Sequence, residues 1–222
     1  MQRTLTAVAI GVLGFQALVS QTAIPSPEDK ILARAVEKMR KKCPYTTTKL
    51  SYDPEGKLVA TPDEKEKGKI TEKLSIPLLF KPGRFQLKQV PGSQAEESGE
   101  DFTVIVFKPW EERHQLKAIK DEDDDVNKTL NQLTGSVTID PKTGGFVRID
   151  ANLSERVSYT RWWLLGIDAA WMKEVNFSLT QRFDFWRWNP VSLRATVKYG
   201  RKFLDDVHDE YVTTFDCGNG SN

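Results

Sequence analysis

Two histidines, His114 and His208, are the only side chains in this 222-residue chain whose ordinary titration falls near neutral pH. A serine or cysteine nucleophile needs a base held beside it, and neither histidine lies near a glycine-flanked serine. His208 sits in Asp205-Asp206-Val207-His208-Asp209-Glu210, which reads as a solvated polar turn. Carboxylates suited to sugar hydrolysis are available at Asp150, Glu174 and Asp184. Acids recur every few residues, however, so their presence points to no particular pair. The run Asp121-Glu122-Asp123-Asp124-Asp125, with Asn127 close behind, has the carboxylate density of a calcium loop. Counted from Asp123, the sixth and twelfth places hold Lys128 and Thr134 where that loop needs glycine and glutamate. The run is therefore read as the acidic start of a short helix, Val126 to Leu133. There is no glycine-rich phosphate loop. No catalytic residue, metal or cofactor is assigned, and the chain is read as a non-enzyme.

The two cysteines, Cys43 and Cys217, are a different matter. With so few histidines there is little to complete a zinc site, and in an oxidising compartment a single pair of cysteines bonds. Export is expected from the amino terminus. Met1-Gln2-Arg3 precedes an uncharged apolar run from Leu5 to Val19 and then small or polar residues to Ala23, the layout of a signal peptide. At about 15 residues the run is too short to span a bilayer. Removing residues 1–23 takes Arg3 from the 32 basic residues and leaves 31 against 31 acidic ones. A mature chain of zero formal charge has no electrostatic pull toward nucleic acid or an anionic membrane surface. The expected organisation is a signal peptide over 1–23 and a single β-rich domain over 24–222. The mature protein is expected to be periplasmic or secreted, and a monomer. The sequons at Asn127, Asn152, Asn176 and Asn219 would carry sugar only in a eukaryotic secretory pathway.

The element read most firmly is a hairpin from Gly135 to Leu153. Val137 and Ile139 alternate with polar residues in one arm, and Val147, Ile149, Ala151 and Leu153 do so in the other. Asp140-Pro141 opens the turn and Gly144-Gly145 supply the positive φ that closes it. Ser26-Pro27-Glu28-Asp29 starts a helix whose face carries Ile31, Leu32, Ala35, Val36 and Met39, ended at Cys43-Pro44. Thr46 to Tyr52 reads as a strand turned by Asp53-Pro54-Glu55-Gly56, and Lys69–Phe80 with Arg84–Val90 as a second hairpin. Asp101–Phe107 is a continuous apolar run suited to a strand covered on both faces. Arg113–Ile119 reads as another. Ser158–Met172 is aromatic without a clear period. Lys173–Trp186 is the longest strand, with Val175, Phe177, Leu179 and Phe183 on one side and only Gln181 breaking it. Trp188-Asn189-Pro190 turns the chain, Val191–Tyr199 follows, Gly200–Val207 connects, and Tyr211–Cys217 is the last strand. The class is α+β, mostly antiparallel β, with an amphipathic N-terminal helix and one or two short helices.

The strand ending Phe107-Lys108-Pro109, the phrase Leu133-Thr134-Gly135-Ser136-Val137-Thr138-Ile139-Asp140 and the order of strands after it resemble the periplasmic carriers of outer-membrane lipoproteins. The resemblance spans roughly residues 26 to 217 and lies at the level of the fold. It implies a curved half-barrel sheet whose concave face is covered by helices and encloses an apolar cavity for acyl chains. The arginine through which those carriers contact lipoprotein has no assigned counterpart in this chain. The expected function is binding of an apolar ligand, a lipid or lipoprotein acyl chain, in the bacterial envelope. Cavity candidates are Leu32, Val36, Trp162, Trp163, Trp171, Phe177 and Phe183. Two other classes stay open: a secreted hydrolase with unrecognised acids, and an envelope protein that works through protein contacts alone. Six tryptophans and eleven phenylalanines favour the first, being more than a core of this size must have.

Overall fold

The computed structural model describes residues 25–39, 43–59, 65–69, 76–91, 102–110, 124–161, 167–184 and 186–217. The leader over 1–23, His114, Arg113–Ile119, Trp162 and Trp163 lie outside them. Helix α1 runs Pro27–Lys38 and starts as its residue types require. Ser26 Oγ accepts from the Asp29 amide at 3.0 Å, and Asp29 returns the bond to the Ser26 amide at 2.9 Å. Leu32 and Ala35 are buried on its sheet-facing side, with Ile31, Val36 and Met39 packed half-buried beside them. The helix ends earlier than Cys43-Pro44. Met39 leaves it in extended conformation and bridges to Trp188, so that contact with the sheet, not the proline, sets the end.

Ten strands are described: β1 Pro44–Tyr52, β2 Lys65–Lys69, β3 Gln86–Pro91, β4 Thr103–Lys108, β5 Leu133–Ile139, β6 Phe146–Leu153, β7 Val157–Arg161, β8 Ile167–Asp184, β9 Arg187–Arg201 and β10 Leu204–Phe215. They make one open antiparallel sheet in the order β2-β1-β10-β9-β8-β6-β5-β4-β3, with β7 also alongside β8. Short helices α2, Ile76–Leu79, and α3, Asp124–Leu130, complete the described elements. The β5–β6 hairpin has the expected register: Val137 faces Ile149, and Val137, Ile139, Ile149 and Ala151 are buried. Asp140 caps its turn by accepting from the Lys142 amide and the Thr143 hydroxyl. Of the two glycines only Gly144 has positive φ. Gly145 is needed for space, since a Cβ there would fall 2.0 Å from the Trp188 ring.

One face of the sheet, here the inner face, carries the core. Ile105 and Phe107 of β4, Val137 and Ile139 of β5, Phe146 and Ile149 of β6 and Leu179 of β8 meet Leu32 and Ala35 of α1 and Ile76, Leu79 and Phe80 at α2. Four expectations are corrected. Ile76–Leu79 is helical and not strand, with the Phe80 amide donating to the Ile76 carbonyl, and the described partner of β3 is β4. Pro77 has no amide to give a ladder, and Ile76, Leu79 and Phe80 share a helical face. Strand β4 is covered on one face only, because Val106 on the other is 37% exposed. Asp184 already pairs with Arg187, so the chain has turned ahead of Trp188-Asn189-Pro190. Pro190 instead pairs with Gln181 beside a register shift, where a residue without an amide is tolerated. Residues 204–210 are strand rather than connection, joined to β9 through a two-residue turn at Lys202-Phe203.

Cys43 and Cys217 are disulfide-bonded, with Cα atoms 4.8 Å apart, joining the start of β1 to the end of its neighbour β10. The bond is compatible with an exported protein. No helix among the described residues is long and apolar enough to cross a membrane. Away from the apolar core, Arg84 is buried and donates to Asn131 Oδ1 at 2.6 Å and Asn127 Oδ1 at 3.0 Å, and burial lowers its pKa to about 10. Asn127 is thereby buried in a side-chain network.

Candidate functional site

The strand register lays the inner face out as rows. From β8 across β9 and β10 to β1 they read Leu179–Leu193–Thr213–Thr47, then Phe177–Ala195–Tyr211–Lys49, then Val175–Val197–Asp209–Ser51. The first row is the most buried, with only Leu193 half-buried. Leu179 is fully buried in the core, and the Thr213 and Thr47 hydroxyls bond each other at 2.7 Å in the interior. In the next two rows Val175, Phe177, Ala195 and Val197 are only half-buried. They form an apolar strip that extends the core along β8 and β9 and keeps part of its surface open.

Across the sheet from that strip the chemistry changes. Asp209 is 2% exposed and accepts from Ser51 Oγ at 2.7 Å and from the Tyr211 hydroxyl at 3.2 Å. Lys49 Nζ lies 3.2 Å from the same carboxylate, and its ammonium also sits 6.0 Å from the centre of the Tyr211 ring. Burial, followed by the Asp209 charge, raises the Tyr211 phenol above its ordinary value, against a smaller lowering by Lys49. The arrangement is an apolar wall bordered by one buried, fully engaged carboxylate and a partly exposed ammonium. It can hold an apolar body and offer a polar edge to it. The alternation Val207, Asp209, Tyr211, Thr213, Phe215 contains the signal for this cluster. Treating 205–210 as a turn hid it.

The outer face is a field of surface pairs. Glu174 bonds Lys198 at 2.7 Å and accepts from Asn176, Arg148 holds Asp150 through two nitrogens, and Asp184 is 3.9 Å from Arg182. The three acids named as candidates for hydrolysis are thus each engaged by a neighbouring cation on this face. An open depression of about 340 Å³ is lined by the polar residues Asp150, Asn152, Asn176, Ser178, Arg194 and Thr196 together with Ala151 and Phe177. His208 is in β10, stacked on Tyr52 with ring centres 4.8 Å apart. Tyr52 donates to Glu210, which raises its phenol pKa through that bond, with burial and the Glu210 charge adding to it. Among the described residues no three His, Cys, Asp or Glu side chains converge as a metal would need.

The cavity candidates do not gather at one place. Phe177 is on the open strip. Leu32 belongs to the closed core and Val36 packs at its margin. Phe183 is 41% exposed at the far end of β8, with its ring 5.6 Å from that of Trp188. Trp171 pairs with Gly200, and its indole covers the spot where a Gly200 Cβ would stand, with the Arg156 guanidinium 4.6 Å from the ring. The register shift between Met172 and Glu174 puts Trp171 on the outer face, opposite Phe177. An unperiodic aromatic stretch gave no means of choosing its face. Comparison with protein-family models, with curated proteins and with solved structures found no match to the chain.

Proposed function

We propose that this protein is an exported, monomeric, non-enzymatic binder of an apolar ligand, a lipid or acyl chain, received on the inner face along β8 and β9. One observation carries the reading. The row Phe177–Ala195–Tyr211–Lys49 and the row beyond it continue a closed core into half-buried apolar surface and end at a buried carboxylate with its ammonium. Val175 and Phe177 pack against the core yet keep part of their apolar surface open, as do Ala195 and Val197 beside them. An elongated hydrocarbon laid over Val175, Phe177, Ala195 and Val197 would remove that surface from water. A polar end would meet Lys49, whose head is partly exposed. The resemblance to periplasmic lipoprotein carriers supports the same reading, with the sheet curving as a half-barrel about the ligand and α1 closing one end.

The test is saturable binding of a fluorescent fatty-acid probe by delipidated protein, together with native mass spectrometry for lipid carried through purification. Ala195→Arg puts a long cation on the strip at a half-buried position, and it should weaken probe binding by about tenfold or more in protein that remains folded. Absence of saturable binding by the unmutated protein, or binding indifferent to Ala195→Arg, refutes the proposal.

A further inference from the structure

Gln181 stands on the inner side of β8, two residues beyond Leu179, and pairs with Pro190 of β9 beside a register shift. It is 7% exposed, and neither its amide oxygen nor its amide nitrogen has a hydrogen-bond partner. The residue opposite gives no help, since Pro190 is itself buried and has no amide to donate. Leu179, Leu193 and Trp188 beside it are apolar, and the Trp188 indole N–H is taken by the Thr143 hydroxyl at 3.0 Å. A carboxamide shut in without partners destabilises the fold in a way that methionine, of similar length and unbranched, would not. A buried donor and acceptor kept at that cost point to a group that arrives from outside the chain.

A lane on β9 leads to this side chain. Tyr199, Val197, Ala195 and Leu193 follow one another on the inner face, all half-buried. Past Leu193 the lane closes at buried Pro190 and Trp188, so Gln181 lies at its dry end, while partly exposed Lys49 borders its wet side. We infer that the apolar ligand carries an uncharged amide, as a long-chain fatty amide does, and that Gln181 receives it, donating to its carbonyl and accepting from its N–H. The inference rests on the strip being the lipid site and adds the chemistry of the ligand's buried end. A carboxylate or phosphate does not suit that end, because Leu179, Phe183, Leu193 and Trp188 bring no charge to offset the hydration it would lose. An ester would pair the Gln181 N–H groups and leave the Gln181 oxygen bare. A second amide satisfies both atoms at once.

The test compares two pyrene-tagged probes of the same chain length, a primary amide and a methyl ester, on the mature, disulfide-bonded and delipidated protein. The parent should bind the amide about tenfold or more tighter, because the ester leaves a buried oxygen unpaired. Gln181→Met should bind the two probes alike and melt no lower than the parent, since it removes a buried polar group that has no partner in the free protein. Arg182→Ala, on the other side of β8 and 75% exposed, should keep the parent's preference. Equal binding of both probes by the parent overturns the inference and leaves the lipid reading of the strip standing, whereas binding of neither removes that reading and the inference with it. A preference that survives Gln181→Met, or a Gln181→Met protein that melts well below the parent, overturns the inference as well, because Gln181 would then serve the fold and not the ligand.

Discussion

Removing Asp209 and removing Lys49 should have very different effects, although the two form an ion pair. Asp209 is 2% exposed and holds two hydroxyls besides the ammonium, whereas the Lys49 side chain is 34% exposed. Hydrogen bonds to a charged group contribute about 1.5 to 3 kcal/mol each. Ser51 and Tyr211 are both half-buried and can turn partly toward water, so the lower figure applies to each. The ion pair, open to solvent on one side, adds at most about 1 kcal/mol. Asp209→Ala should therefore cost about 3 to 4 kcal/mol, a fall in Tm of roughly 6 to 16 °C for a chain of this size. Lys49→Met should cost no more than about 1 kcal/mol, because the carboxylate keeps both hydroxyl donors. Urea titration at pH 7 followed by tryptophan fluorescence gives both values. If Lys49→Met costs as much as Asp209→Ala, the carboxylate is held by the ion pair and not by the hydroxyls, and the account of this cluster fails.

On the central hairpin, Ile149→Ala should cost about 2 to 5 kcal/mol, since Ile149 is fully buried, while Arg148→Ala on the exposed side should stay within about 0.5 kcal/mol; the same urea titrations rank them, and the reverse order would mean a register shifted by one residue. At alkaline pH the Tyr211 phenol ionises later folded than unfolded, so its contribution to stability is intact below pH 10 and is lost as pH rises through the folded value. Arg84, lowered to about 10 by burial, acts in the opposite sense over the same range, so the informative quantity is the difference between parent and Tyr211→Phe. That substitution should flatten the loss of stability above pH 10 and remove one late-titrating phenol from the absorbance at 295 nm; an unchanged alkaline limb would refute the assignment.

The parts of this fold that can be read from residues are those where local chemistry and tertiary packing agree. Ser26, Pro27 and Asp29 specify a helix start wherever they occur together, and Val137, Ile139 and Ile149 alternate on a strand with one covered face. The misreadings fall where the two part company. Ile76 and Leu78 could be counted in a strand-like alternation with Ile70 and Leu74 until Pro77 is given its due. Phe203 and Trp186 occupy turn positions where glycine would have announced the turn, so β9 read as shorter than it is at both ends. Gln181 interrupts the inner side of β8 and is nevertheless buried, with neither amide atom hydrogen-bonded; composition gives no warning of such a residue. Of the site, Phe177 was legible from alternation. Lys49, Ser51 and Asp209 were not, because their association depends on β1 meeting β10 across some 160 residues of chain.

That meeting has a consequence for how the protein can be made. Strand β1 is among the first parts of the domain to leave the ribosome, yet its partner β10 is the last. Until the carboxyl-terminal strand arrives, β1 has no route into the rest of the sheet, and the edge it turns away from β2 stays open to wrong partners. A chain arranged in this way has high contact order and is expected to fold slowly. Cys43 likewise has no partner until Cys217 is synthesised. A chain truncated before residue 204 would not be a shorter version of the protein, since β1 and β2 would have nothing to join and Cys43 would present an unpaired thiol.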